Sequence, residues 1–187
     1  MRMLNVLLAS TLLAAAGGGA LAQPRSEAHH PAATDGGWVL ETPESIHEEH
    51  QEIHALLDRA AAEPGDLGAS ARALRELLEP HFRREEEIAT PPLALLVPLS
   101  QGPASRRMRA VLPMTRALER ELPRMLVEHR RIGAARERFE AAARHAGRPD
   151  YVRLSETLAH HARQEEEVLY PAAILVGRYV AARAPAR

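Results

Sequence analysis

Apolar residues after position 41 recur at intervals of three and four, the spacing of one face of a helix, and do not alternate as a half-buried strand would. Four such stretches stand between recognisable stops. Thr42 and Pro43 open the first, which runs to Ala62 before Glu63, Pro64 and Gly65. The second extends from about Ser70 to Ile88 and ends at Thr90-Pro91-Pro92. The third is clearest from Leu122 to Arg144, with an earlier start at Val111 and bends expected at Pro113 and Pro123, and Gly147 closes it. Pro149 opens the fourth, which reaches Tyr170 and has an apolar continuation beyond Pro171 toward Ala182. Short connections within each pair make those helices antiparallel neighbours. The pattern predicts an all-α fold: an up-down-up-down four-helix bundle over residues 42–183, with a long connector between helices two and three and a tail at 184–187.

Rotation by about 100° per residue assigns each side chain to a face. Ile46, Ile53, Leu57 and Ala60 define the first stripe, with His50 inside it and His47 and His54 toward its edge. Leu74, Leu77, Leu78, His81, Glu85 and Ile88 share one line on the second helix. The third groups Leu118, Leu122, Met125, His129 and Ile132; the fourth groups Leu154, Leu158, His161, Glu165, Val168 and Ala172. Glu86, Glu87, His160, Glu166 and Glu167 rotate away, and His145 falls near the end of the third helix.

Composition narrows the function. The chain has 187 residues, 24 basic against 25 acidic side chains and a net charge of -1, which removes the electrostatic basis for nucleic-acid binding. All the basic residues are Arg, and aromatic residues make up only 3% of the chain, which argues against a strand-rich fold. With no cysteine there is no disulfide, thiolate metal site or cysteine nucleophile. At the amino terminus, Arg2, an apolar run from Leu4 to Ala16 and small residues up to Ala22 follow the order of a secretory signal peptide over residues 1–22. The alternative is an uncleaved anchor, since the run is just long enough to span a bilayer. Residues 23–41, with Pro24, Pro31, Gly36 and Gly37, read as a flexible leader. The expected product is an exported protein, bacterial and periplasmic, that is free of the membrane once the signal is removed.

Ten histidines are the abundance that needs a reason. One inward histidine alone is ordinarily a hydrogen-bonded core residue. Here four helices each turn one inward, and two of them add an inward glutamate. A carboxylate in an apolar interior costs several kcal/mol unless it is paired or bound to metal, and no inward Lys exists to pair with Glu85 or Glu165. Arg136, the nearest basic residue in phase, has Glu140 as a partner one turn on. In His81-x-x-x-Glu85 and His161-x-x-x-Glu165 both side chains lie on one face one turn apart, so both reach a shared cation without bending the backbone. Two such pairs can hold two ions, each glutamate offering one oxygen to each. Imidazole with carboxylate suits iron and other borderline metals rather than calcium or magnesium. His50, His81, Glu85, His129, His161 and Glu165 are the candidate metal ligands.

These residues, with the segments HFRREEE, LVEHRRI and HARQEEEVLYP that carry them, resemble the hemerythrin-like, or HHE cation-binding, domain over roughly residues 42–171. The resemblance implies a four-helix bundle around two non-haem iron ions, oxo- or hydroxo-bridged, that takes a small diatomic ligand such as oxygen or nitric oxide, or peroxide. It implies His50 and His81 on one iron, His129 and His161 on the other, and Glu85 and Glu165 bridging. Oxygen carriers of this family use a fifth histidine one turn along the third helix, where this chain has Gly133. One iron is therefore expected to be less saturated, unless His54 or His47 compensates. Pro80, directly before His81, lacks an amide donor and is expected to bend the second helix.

Three function classes use these same ligands: a binding protein for oxygen, nitric oxide or iron; a peroxide- or nitric-oxide-consuming enzyme; and a structural metal bundle with zinc or manganese. The binding protein is the favoured reading. Residues 91–110, containing Leu93-Ala94-Leu95-Leu96-Val97, read first as a connector packed on the end of the bundle, and otherwise as a lid or a dimer contact. The oligomeric state is not legible in the sequence.

Overall fold

The computed structural model describes residues 40–186, among which every regular element is helical. The expected signal peptide and nearly all of the expected leader lie outside the described residues. α1 spans Glu44–Ala61, α2 Gly65–Ile88, α3 Leu96–Gln101, α4 Leu112–His145, α5 Pro149–Gln164 and α6 Tyr170–Arg183. No helix among them is long and apolar enough to cross a membrane.

Several boundaries differ from the expected ones for local reasons. Thr42 does not cap α1; its hydroxyl pairs with that of Thr90 at 2.7 Å, and the Pro43 carbonyl receives the amides of Ile46 and His47. α2 starts at Gly65 rather than near Ser70, because Gly65 takes φ +66 and turns the chain at once after α1. Gly147, at φ +65, closes α4: its amide bonds the Arg144 carbonyl and the next amide, of Arg148, bonds that of Ala143. This double bond pattern satisfies the last carbonyls and returns the chain into α5. α4 takes the earlier of its two expected starts and runs through Pro123.

The expected fourth helix is α5, a π turn over Glu165–Leu169, and α6 in direct succession. The Tyr170 amide bonds the Glu165 carbonyl, five residues back. One extra residue in a turn shifts the phase of everything after it. Val168, expected inward, is 54% exposed, and Ala173 is fully buried while Ala172 is partly buried against the same cluster.

α1 packs on α2, α2 on α4, and α4 on α5 and α6, while α5 also meets α1. Cross-helix partners run in opposite order along each pair. Between α1 and α2, Asp58 meets Arg75 and His50 meets Glu86; between α2 and α4, His81 meets Glu128 and Arg84 meets Glu121. Between α4 and the continuous α5–α6 stretch, Arg136 meets Ser155 of α5 and Glu119 meets Arg178 of α6. The segment between α2 and α4 holds two 3-10 turns, Pro91–Leu95 and Arg106–Val111, flanking α3. Its Leu95, Met108 and Val111 are buried against Val176 and Val180 of α6, while Leu96 and Val97 stay exposed. Leu40 and Ala184 pack at the same end.

The core has two main apolar clusters along the bundle. One contains Ile53, Leu57, Leu74, Phe82, Phe139 and Leu158; the other contains Ile88, Leu118, Met125, Tyr170 and Ala173. On each long helix the candidate ligands fall between the two. Apolar layers on both sides keep that polar layer away from water.

Candidate metal centre

The structure brings all six expected residues into this one layer. His50, His81, Glu85, His129, His161 and Glu165 are each buried, and they form two groups: His50, Glu85, His161 and Glu165; and His81, Glu85, His129 and Glu165. The histidine pairing implied by the family resemblance is therefore corrected. His50 shares a group with His161, and His81 with His129, following the packing of α1 against α5 and of α2 against α4.

Both carboxylates belong to both groups and face them with different oxygens. Glu165 Oε1 lies 2.9 Å from His161 Nε2 and 3.9 Å from His50 Nε2, while its Oε2 lies 3.4 Å from His129 Nε2. Glu85 Oε1 lies 3.3 Å from His81 Nε2 and its Oε2 3.9 Å from His50 Nε2. Helical spacing accounts for the close pairs: each Glu follows its His by four residues and so stands directly beside it.

All four imidazoles turn Nε2 inward and Nδ1 toward an outer carboxylate. His50 Nδ1 pairs with Glu86 at 3.1 Å, His81 Nδ1 with Glu128 at 3.1 Å and His129 Nδ1 with Glu166 at 2.7 Å. His161 Nδ1 faces Glu49 at 3.3 Å. A carboxylate on one ring nitrogen holds the proton there and leaves the other nitrogen's lone pair free for a cation. These four glutamates were not expected from the sequence. Glu86 and Glu166 directly follow the ligand glutamates in the two EEE runs, which was the available signal; Glu49 and Glu128 precede His50 and His129 by one residue.

Inside the layer, His50 Nε2, His81 Nε2, Glu85 Oε2, His161 Nε2 and Glu165 Oε1 are buried and make no hydrogen bond; His161 Nε2 and Glu165 Oε1 approach to 2.9 Å as two acceptors when the imidazole proton sits on Nδ1. Buried polar atoms are ordinarily satisfied, and five converging orphans on imidazole and carboxylate are the donor set of a cation. The electrostatics agree. Burial pulls His81 and His161 down, but Glu85 and Glu165 outweigh it and hold each raised to about 9. Burial and then the neighbouring Glu165 push Glu85 above the usual carboxylate range. Burial acts upward on Glu165 too, yet His129, His161 and His50 bring it well below that range. The layer thus attracts positive charge at its carboxylates.

In the sequence Tyr170 marked only the reach of the fourth helical stretch. The π turn sets it above Glu165, where its hydroxyl donates to Glu85 Oε1 and lies 3.1 Å from His129 Nε2. Phe82 stacks on His50 with ring centres 4.2 Å apart. His47 is largely exposed, and His54 is half-buried with its ring edge against Phe82; neither joins the two groups among the described residues. His145 and His160 are exposed. Leu77, expected inward, is 36% exposed because it lines a cavity of about 180 Å³ beside Pro80, which also touches His81, Arg124 and Glu128. α2 continues through Pro80, whose missing amide leaves the Glu76 carbonyl, at the same cavity, without its helical partner.

The Hemerythrin HHE cation binding domain matches residues 42–173. The match covers most of the chain, from the first turn of α1 into α6 and across every ligand candidate. The chain belongs to this cation-binding family. No curated protein and no solved structure matches it.

Proposed function

We propose that this chain is a non-haem di-iron protein that takes up a small ligand, oxygen, nitric oxide or a relative of these, in preference to acting as a dedicated enzyme. The observation that carries the reading is the way Glu85 and Glu165 each turn one oxygen to each histidine pair. His50 and His161 would hold one ion, His81 and His129 the other, and the two carboxylates would bridge them. Iron there would supply ligand binding and one-electron redox chemistry. The opposite order of partners along neighbouring helices supports an up-down-up-down bundle, with residues 89–111 as its connector. The charged, apolar and small-residue order of residues 1–22 supports export to a bacterial periplasm.

The protein's own residues set the conditions for uptake. The outer glutamates orient the imidazoles, and the apolar layers above and below exclude bulk water. The cavity beside Pro80 is lined in part by His81 and its partner Glu128. Metal analysis of protein loaded with ferrous iron without air tests the reading, with two irons per chain expected, followed by titration of the reduced protein with nitric oxide. Nitric oxide is expected to bind, and oxygen to oxidise the protein rather than form a lasting adduct. A preparation that takes up no iron, or a firm ratio of one, defeats the proposal.

A further inference from the structure

Gly133 stands one turn beyond His129, where a further imidazole could have reached the layer, and a Cβ built there meets nothing within 4 Å. The polar atom that does approach His129 comes from another helix. Tyr170 is 1% exposed, and its ring lies against the His129 ring at 5.7 Å and 25°. Its oxygen is 3.1 Å from His129 Nε2 and also contacts Glu85 Oε1. Resting on the reading of this layer as an iron site, we infer that Tyr170 is a seventh protein ligand, its phenol oxygen binding the cation held by His81 and His129.

Spacing is the first support. Neighbouring donors on one cation at about 2.1 Å stand roughly 3 Å apart. His81 Nε2 to Glu85 Oε1 is 3.3 Å and His129 Nε2 to Glu165 Oε2 is 3.4 Å. The 3.1 Å from the Tyr170 oxygen to His129 Nε2 belongs to that series, while the closer contact to Glu85 Oε1 is a hydrogen bond that opens when the phenolic proton leaves. The second support is the hydroxyl's company. A buried phenol needs a hydrogen-bond partner. Both hydrogen-bond partners of this one are donor atoms of the same four-residue group. The third support is asymmetry. On the other side of the layer His50 is stacked by Phe82, which has no hydroxyl to offer. The tyrosine therefore serves one histidine pair and not the other.

Ligation breaks the phenolic O–H bond. The proton leaves to solvent with the others that metal uptake displaces, and the oxygen lone pair forms the new bond, with no change of oxidation state. The consequence reverses the expectation drawn from Gly133: the His129 side is the more saturated one, and the open position falls on the side of His50 and His161.

The test uses the full chain loaded with ferrous iron and oxidised in air, grown with ordinary or ring-deuterated tyrosine. Visible absorption should show a phenolate-to-iron charge-transfer band, and resonance Raman excitation in that band should show ring modes that shift with the label. The chain has three tyrosines. The band should persist in Tyr151→Phe and Tyr179→Phe and be lost in Tyr170→Phe. If Tyr170→Phe does not fold, the labelled unmodified chain and the other two variants assign the band by elimination. Iron bound without label-sensitive modes, or modes that survive Tyr170→Phe, overturns the inference and leaves the di-iron reading intact. A chain that binds no iron defeats that reading and this inference together.

Discussion

The amide of Tyr170 donates to the carbonyl of Glu165, five residues earlier rather than four. In an unbroken α-helix Tyr170 would sit about 140° around from Glu165 and face away from the site. The π turn closes that angle and also turns Ala173, Val176 and Val180 into the core. Shortening the turn by one residue should restore ordinary α geometry while keeping Tyr170 in line. Deleting Val168, which is exposed, is therefore expected to leave helicity nearly unchanged and to shift melting by only a few degrees, about 1 kcal/mol or less. Deleting Ala134 from the regular turns of α4 should unfold the chain. A Val168 deletion as damaging as the Ala134 deletion would show that the extra residue itself is needed.

Residues that face the layer should govern cation uptake, and neighbours that face outward should not. His81→Ala and Glu165→Ala each remove a donor from a group of four and should sharply weaken iron loading. His160→Ala and Glu167→Ala alter exposed positions one and two residues away and should load as the parent does. Equal losses in both sets, measured by metal analysis after desalting, would refute the assignment of inward faces.

Much of this was legible in the sequence because the helical period is strict. His50, His81, Glu85, His129, His161 and Glu165 were found by phase alone, since each lies in a regular stretch of helix up to its own position. What failed did so where the period or the reach of a side chain changed. Val168 was misassigned, and the approach of Tyr170 to the site was missed, because single-residue phase counting has no term for a π turn. Glu86 and Glu166 were set aside as outward and Glu49 and Glu128 were not singled out, yet a glutamate at the edge of a helix face still reaches the Nδ1 of a histidine on the neighbouring helix. Which histidines share a group depends on helix adjacency, which periodicity does not encode.

Those outer glutamates should tune the site without being part of it. Replacing Glu128 or Glu166 with Gln keeps the side chain's size but weakens the acceptor that holds His81 or His129 in place. Outer partners of this kind are worth roughly 10- to 100-fold in metal affinity. Competition with a chelator of known affinity should show a loss in that range for each variant, with the iron ratio unchanged at saturation. Glu87→Gln, on the EEE run of Glu85 and Glu86 but bonded to Arg84, should change nothing measurable. Loss of stoichiometry rather than affinity in Glu128→Gln would instead make that glutamate a ligand.

Acidity should move the metal-free and loaded forms in opposite directions. In the folded, metal-free layer His81 and His161 are raised to about 9 from an ordinary value of 6.5. The folded state then binds more protons than the unfolded one between those limits. The stability this lends is fully present below about 6.5 and lost as pH rises through about 9. Glu85, raised by burial and by Glu165, acts in the same direction. Metal-free protein should therefore melt lower at pH 9 than at pH 6.5. Cation uptake needs neutral imidazoles and competes with those same protons, so it strengthens over the same interval. The melting-temperature gap between protein loaded with ferrous iron under anaerobic conditions and metal-free protein should accordingly widen from pH 6.5 to pH 9. Parallel melting curves at both pH values, with iron bound, would mean that the four histidines are not the groups the cation displaces protons from.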